Sequence, residues 1–595
     1  MKQQFQTPIC RKWLIRGALV LIAGLAPVGC ATPDGPSLPR RHAISAANPH
    51  AARAGLAMLR AGGSAVDAAI AAQAVLSLVE PQSSGIGGGA FMLHYARRTR
   101  HIDAYDGRET APAGAGPELF LGPDKKPLKF YDAVIGGRSV GTPGVLRMLE
   151  LAHGTHGKLP WARLFTPAIK LAENGFNISP RLHYFIGRAK GLKRYGAARR
   201  YFFTQDGKPK PVGTRLVNSS YAATLRMIAK QGADGMYRGP LARKIVEAVQ
   251  NAAPNPGSLS LADLKNYRAV NRKALCRPYR QWRVCTMPPP TSGGVTTLQI
   301  LGMLESFDLS ALKPGSVRAV HLISEASRLA YADRAAYIAD TDFIAVPVEG
   351  LLGRNYLAAR AGLISAASSM GKALPGAPGR RADEKPPRRR ADENPPGIKH
   401  GEIPPISDAI EFPSTSHLTV VDDDGNTVSM TTSVENIFGS RLMVGGFMLN
   451  NQLTDFSFRP EIDGRKVANR VQPGKRPRSS MSPTIVLDGD GKLVLALGSP
   501  GGSRIIGYVA RALIATLDWR LGLADAFALP NHVNRNGPTE LENNTALKAI
   551  APGLEALGHE IRLRTLTTGL HGVRATPRGY DAAADPRREG VALGD

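Results

Sequence analysis

Between residues 374 and 407 the chain abandons every pattern that builds a core. The run is dominated by Pro, Gly and Arg, and Arg381-Ala-Asp-Glu-Lys-Pro-Pro recurs nine residues later as Arg390-Ala-Asp-Glu-Asn-Pro-Pro. Such a segment buries almost nothing, and disorder is expected across 374–407. No single core can be threaded through it, so the fold must be assembled from what lies on either side. Upstream, the pattern is mostly helical. Residues 45–80 read as Ala-rich helix with a capping box at Ser64 and Asp67, and amphipathic periodicity returns near 145–175, 215–252 and 294–340. Downstream, short apolar strands dominate: Phe447–Asn450, Pro483–Leu487 and Leu493–Leu497, with two helices, Ser503–Leu517 and Leu523–Phe527, expected to close the chain.

The first element after the break is a hairpin. Asp423-Asp424-Gly425 suits a three-residue loop with Gly425 in the left-handed position. That loop sets Asp422 against Asn426 and carries Thr415 opposite Ser433. Side chains alternate along a strand, so Thr415, His417 and Thr419 share one face, with Ser433 and Glu435 beside it. Two hydroxyls and a carboxylate thus gather where a half-buried strand would carry Val or Ile. A second candidate element is Gly498-Ser-Pro-Gly-Gly-Ser503, a strand-to-helix turn. There Gly501 and Gly502 offer backbone N–H groups near a helix N-terminus, a cradle for a developing oxyanion. The Gly-rich turn Ser83–Gly89 lacks the Lys-Ser/Thr of a phosphate loop, and close backbone packing explains it better.

The balance of 76 Lys+Arg against 48 Asp+Glu gives +28, yet the basic residues are scattered and only 6% of residues are aromatic. A nucleic-acid partner is therefore not expected. Residues 1–30 carry Lys2, Arg11, Lys12 and Arg16 ahead of the apolar run Gly17–Leu25, the pattern of an export signal rather than a membrane span. Its end, Ala-Pro-Val-Gly-Cys30, is similar to a bacterial lipoprotein cleavage site, although Pro27 stands where such sites usually carry Leu. An exported, periplasmic protein with a lipid anchor at Cys30 is the expectation. In that compartment Cys276 and Cys285, flanking a turn between two short strands, are expected to pair as a cross-strand disulfide. No CxxC or HExxH spacing occurs, so neither a metal nor any other cofactor is expected.

Several blocks, in order, make the chain similar to the γ-glutamyltranspeptidase family of N-terminal-nucleophile hydrolases. They are Asp106-Gly-Arg-Glu-Thr-Ala-Pro112, Met287-Pro-Pro-Pro-Thr-Ser-Gly-Gly294, Thr415-Ser-His-Leu-Thr-Val-Val-Asp422, Asn450-Asn-Gln-Leu-Thr-Asp-Phe-Ser457, Lys475–Thr484 and Gly498–Arg504. The resemblance, which runs from about residue 42 to the end, implies an α+β, four-layer αββα sandwich formed jointly by two subunits. It implies autocleavage between Ser414 and Thr415, giving a large subunit from 31–414 and a small one from 415–595. Thr415 would be nucleophile and, through its freed α-amine, base; Ser433 would bond it, and Gly501 and Gly502 would hold the oxyanion. Arg108, Ser479 and Ser480 would bind the carboxylate of a γ-glutamyl group, and Gln452 and Asp455 its ammonium. Glu435 stands where the family usually has Asn. The substrates implied are γ-glutamyl compounds such as glutathione, with water or amino acids and peptides as acceptors. The span 457–475 is too short for the lid of some members, which implies an open cleft.

Three alternatives compete. Related exported enzymes act as glutaryl or cephalosporin acylases, whose acyl group lacks an ammonium. Gly137-Arg-Ser-Val-Gly141 fits the elbow of serine hydrolases, with Ser139 as nucleophile, although a Thr-Pro-Gly turn intervenes before the next helix. An uncleaved exported binding or scaffold lipoprotein is the non-enzymatic option.

Overall fold

Two antiparallel sheets stack face to face in the computed structural model, which describes residues 41–379, 403–407, 409 and 414–595. Thirteen strands build them: β1 (Ala43–Ala46), β2 (Gly89–Ala96), β3 (His101–Gly107), β4 (Val270–Lys273), β5 (Leu275–Tyr279), β6 (Trp282–Thr286), β7 (Ser416–Val421), β8 (Thr427–Ser433), β9 (Thr484–Leu487), β10 (Leu493–Gly498), β11 (His571–Thr576), β12 (Gly579–Ala584) and β13 (Val591–Gly594). The first sheet runs β13-β1-β7-β8-β2-β3-β4 and the second β12-β11-β10-β9-β6-β5. Helices α1 (Pro49–Arg60) and α2 (Ala65–Val79) cover the outer face of the first sheet. Helices α3 (Gly293–Leu304) and α5 (Ile505–Leu517) cover the second, with α4 (Val317–Tyr337) packed on α3. This is the αββα layering implied by the family resemblance.

The hairpin takes the expected register. Thr427 pairs with Val421 and Thr432 with Ser416, and one further step sets Ser433 against Thr415. Gly425 has φ 79°, and the Asp422 N–H donates to Asn426 C=O at 3.0 Å. Asp422 does more than close the turn. Its buried carboxylate accepts the N–H groups of Asp424 (3.1 Å) and Asn426 (2.9 Å), and also that of Ala65 (3.0 Å) in the first turn of α2. Ser64 and Asp67 form the expected capping box there, so one carboxylate ties the β7–β8 turn to a capped helix.

The polar face of the hairpin points at the second sheet. Ser429 Oγ donates to Leu497 C=O at 3.0 Å, Thr419 Oγ1 to His571 C=O at 3.2 Å, and Ser45 Oγ to Ala583 C=O at 2.7 Å. These hydroxyls satisfy themselves on the facing backbone, which is why a buried strand here tolerates Thr and Ser. Gly87 and Gly88 explain the Gly-rich turn before β2. A Cβ on Gly88 would stand 2.1 Å from Ser433 C=O, and one on Gly87 2.2 Å from Met448 C=O. Glycine lets β2 enter beside Ser433.

The expected disulfide is present, Cys276 to Cys285 across the β5–β6 hairpin. Three expectations change. Residues 45–80 do not begin as helix, because Ala43–Ala46 is a strand pairing with β7 and β13. Two helices do not close the chain. Beyond Ala528 come His532–Asn534, Thr539–Glu542 and Ile561–Arg564, which make a small sheet, and then β11, β12 and β13. The margins of the Pro/Arg-rich run are pinned: Gly376 N–H donates to Asp333 at 2.8 Å and Ser407 N–H to Ala335 C=O at 3.0 Å. Residues 1–40, with the export signal and Cys30, and 380–402 lie outside the described residues.

Asp422→Ala leaves one buried N–H, that of Ala65, and two partly buried ones, those of Asp424 and Asn426, without their acceptor. It is expected to lower stability in urea unfolding by about 3 kcal/mol, whereas Asp422→Asn, which keeps one oxygen acceptor, should cost less.

Candidate active site

Thr415 stands immediately before β7, and Ser433 ends β8. Their hydroxyl oxygens lie 3.3 Å apart, and Ser433 Oγ donates to the C=O of Ser414 at 2.8 Å. It also accepts the N–H of Glu435 at 2.9 Å. A serine hydroxyl has one proton, and here it goes to Ser414 C=O, so Thr415 must be the donor in the Thr415–Ser433 bond. Ser433 thus draws the proton of the Thr415 hydroxyl and polarises the carbonyl one bond upstream. Ser414 Oγ is tied in turn to Gln82 C=O.

Around this pair is a cavity of about 20 Å³ lined by Arg108, Thr415, Ser433, Glu435, Gln452, Asp455, Ser479, Ser480, Met481, Gly502 and Ile505. Every site residue implied by the family resemblance lines it except Gly501, the neighbour of Gly502, and Ser414, the neighbour of Thr415. Gly502 opens a 3₁₀ turn, Gly502–Arg504, leading into α5, and both glycines have positive φ (144° and 59°). The cavity is narrow rather than open. With the chain uncut it has room for about one water, and Thr415, Glu435, Asp455, Ser479 and Ser480 are all buried.

The charges are laid out in pairs. Arg108, wholly buried, donates through Nη2 to Asp455 Oδ2 at 2.6 Å and through Nε to Pro477 C=O at 3.0 Å. Its other neighbour, Glu109, lies 3.7 Å from Nη1, and burial pushes that carboxyl up to about 8. At neutral pH Glu109 is therefore mostly protonated, and Arg108 is balanced by Asp455 alone. Gln452 Nε2 donates to the same Asp455 oxygen at 2.7 Å. Buried side-chain atoms here without a hydrogen-bond partner include Arg108 Nη1, a donor, Gln452 Oε1, an acceptor, and both oxygens of Glu109. Glu435, with φ 76°, accepts from Asn451 Nδ2.

Three contributors escaped the sequence reading. Arg334 on α4 donates to Ser480 Oγ at 2.8 Å and to Ser292 Oγ at 2.7 Å, and Ser292 Oγ donates to Ser479 C=O, so one guanidinium braces the serine pair. Arg588, partly buried, donates to Thr415 C=O at 3.2 Å and to Thr567 C=O at 3.2 Å. Asn451 holds Glu435. The available signal for Arg334 was a helix too rich in charge for its apolar content: Glu325, Arg328, Asp333 and Arg334 are all buried. Arg588 sits in a stretch with no periodicity and gave none.

Two other candidates are resolved. His417 shares the face of Thr415 but bonds to Thr431 Oγ1 (2.8 Å) and Thr419 Oγ1 (3.1 Å), and burial holds its pKa well below the ordinary value. It is a neutral strut between the sheets. Ser139 is not a nucleophile: it is buried, donates to Val134 C=O at 2.7 Å, and the next helix begins only at Val145 instead of directly after it as an elbow requires. Two groups of potential metal ligands, His94–Asp103–His156 and His321–Glu325–His559, lie outside the cavity. In the second, His321 and His559 hydrogen-bond each other and Arg328 pairs with Glu325.

Comparison with known proteins agrees with this geometry. A gamma-glutamyltranspeptidase family profile matches residues 51–595. The glutathione hydrolase proenzyme of Bacillus subtilis (strain 168) is 35% identical over 556 residues, covering 93% of this chain and 91% of that protein. The acylase ACY 1 proenzyme of Pseudomonas sp. (strain SE83) is 34% identical over 543 residues, 89% of each. Among solved structures, cephalosporin acylase from Bacillus halodurans superposes with a TM-score of 0.79 at 25% identity, over 96% of this chain and 99% of that one. With a hydroxyl pair at a strand start, an oxyanion turn and a profile match over nearly its whole length, the chain belongs to the gamma-glutamyltranspeptidase family.

Proposed function

We propose that the chain is a self-processing γ-glutamyl hydrolase and transferase acting on glutathione and related γ-glutamyl amides. The observation that carries the reading is the position of Ser433 Oγ between Thr415 Oγ1 and the Ser414 carbonyl. In the first step Thr415 Oγ1 attacks that carbonyl carbon, the C–N bond to Thr415 breaks, and an ester forms with release of the α-amine. Water hydrolyses the ester, leaving Ser414 as a carboxylate and Thr415 as a new N-terminus. Removal of Ser414 then empties space that the uncut chain fills.

In turnover the α-amine, whose ordinary pKa is about 8, takes the proton of Thr415 Oγ1 as that oxygen attacks the γ-glutamyl carbonyl. Gly501 and Gly502 N–H groups receive the oxyanion. The amine leaves with a proton and the γ-glutamyl ester remains on Thr415 until water, or an amino acid or peptide amine, displaces it. Arg108 Nη1 is the donor for the substrate α-carboxylate, with Ser479 and Ser480 braced by Arg334. Gln452 Oε1, Asp455 and Glu435 are the acceptors for its ammonium. The export signal puts this chemistry outside the cytoplasm, with Cys30 as the proposed lipid anchor.

The relatives described as acylases keep a second reading alive, a glutaryl or cephalosporin acylase. The orphan acceptor Gln452 Oε1 beside two carboxylates favours an acyl group that brings an ammonium, because one without it leaves buried acceptors unpaired. The kcat/KM for γ-glutamyl-p-nitroanilide is expected to exceed that for glutaryl-p-nitroanilide by roughly 50-fold, the equivalent of one or two lost buried bonds. A higher value for the glutaryl compound would transfer the chain to the acylases.

Processing is checked by a denaturing gel and by mass spectrometry of the smaller fragment. Two bands are expected, the smaller beginning at Thr415, and Thr415→Ala should give one full-length band. Ser433→Ala should process about 100-fold more slowly, the usual cost of losing one donor to a developing oxyanion. A single band from the unaltered exported protein would favour the binding or scaffold lipoprotein.

A further inference from the structure

At the far end of the β7–β8 hairpin from Thr415, about 20 Å away along six residues of strand, four turns converge. They are Arg97–Arg100 between β2 and β3, Asp423–Gly425 between β7 and β8, Asp488–Lys492 between β9 and β10, and Pro577–Arg578 between β11 and β12. Two come from each sheet, and together with Arg41 they enclose a cleft of about 660 Å³ that shares no residue with the catalytic cavity.

The cleft is strongly cationic. Arg41, Arg97, Arg100, Lys492 and Arg578 line it, against a single carboxylate, Asp423. That carboxylate is already engaged, by His42 Nδ1 at 2.8 Å and by Arg41 Nη2 at 3.5 Å. Lys492 pairs with Asp490, 3.1 Å away and mostly exposed, and Arg100 donates only to a backbone carbonyl, that of Asp490. Among the described residues no carboxylate forms an ion pair with Arg97 or Arg578. Arg97 and Arg578 are exposed, and part of the wall packs closely on the Gly425 turn. A Cβ on Gly425 would stand 2.6 Å from Arg97 Cδ and 2.7 Å from Tyr580 Oη, so both side chains lie flat against the turn, and Tyr95 Oη is tied to Gly491 C=O at 3.0 Å.

Like charges gathered on these turns repel, and a bound anion relieves that repulsion. Guanidinium forks match phosphate oxygens two at a time, and the volume lies within the range of small-molecule sites and exceeds what one phosphate fills. We propose that this cleft binds a phosphate-bearing ligand, with Arg97 and Arg578 as its main contacts. The chemistry is shared by soluble organic phosphates and by the headgroups of anionic phospholipids.

The test uses the complete processed protein in 150 mM salt, with two arms. One titrates inorganic pyrophosphate and follows binding by calorimetry. The other measures co-sedimentation with phosphatidylcholine vesicles containing 30% phosphatidylglycerol. Arg97→Glu with Arg578→Glu is compared with Arg243→Glu with Lys244→Glu, an equal charge change on exposed residues of the 239–250 helix. Saturable binding in at least one arm is expected, weakened at least tenfold by the first pair and less than twofold by the second, with the turnover of the γ-glutamyl substrate unchanged by either. Binding to pyrophosphate alone identifies a soluble phosphate, and binding to vesicles alone a headgroup. Absence of binding in both arms, or equal loss in both variant pairs, overturns the proposal.

Discussion

A single hydroxyl proton, passed from Ser433 to the carbonyl of Ser414, orders the centre of this molecule. Because Ser433 spends its proton there, Thr415 must turn its own towards Ser433, and one oxygen lines up the Thr415 hydroxyl with the Ser414 carbonyl. The geometry rests on backbone rather than on long side chains. Ser433 is fixed by the hairpin register, the register by the Gly425 turn, and the turn by the Asp422 carboxylate anchored on a capped helix. Glycines at 87 and 88 then let a neighbouring strand close in without displacing it.

Around that centre the protein buries charge in balanced sets. Arg108 faces two carboxyls, but burial raises the pKa of Glu109, so Asp455 is its main counter-charge, and Glu435 adds a further carboxylate to the cavity wall. Two of the groups without hydrogen-bond partners, the Arg108 N–H donor and the Gln452 amide acceptor, are complementary to the two ends of an amino acid. Arg334 and Arg588 act at one remove, the first through two serines and the second through the backbone of Thr415 itself. Both are more costly to bury than any apolar residue, and both spend their donors on oxygens that shape the cleft.

Much of this was legible in the residues. The turn chemistry of Asp-Asp-Gly gave the pairing of Thr415 with Ser433 before any fold was known, because loop length and side-chain alternation leave no freedom in register. The capping box at Ser64 and the disulfide were readable for the same reason: each depends on neighbours in sequence. What escaped was the tertiary part. His417 and Thr419 share the face of Thr415, yet they serve the contact between sheets, a role that no local pattern announces. The last strand, Val591–Gly594, is short and carries little β-propensity, and it owes its conformation to β1 at the other end of the described chain. Arg588 belongs to the same class, since its partner is 173 residues upstream.

The order of the first sheet has a consequence for what a cut at Ser414 can do. Reading across it, β13 comes from downstream of that bond, β1 from upstream, β7 and β8 from downstream, and β2, β3 and β4 from upstream. The two pieces are woven through one another like the teeth of a zip, with hydrogen-bonded seams at β13–β1, β1–β7 and β8–β2. Severing the covalent thread therefore frees only the local ends. Neither piece possesses a complete sheet, so the maturing protein trades a peptide bond for a nucleophile while its body remains a single, indivisible weave.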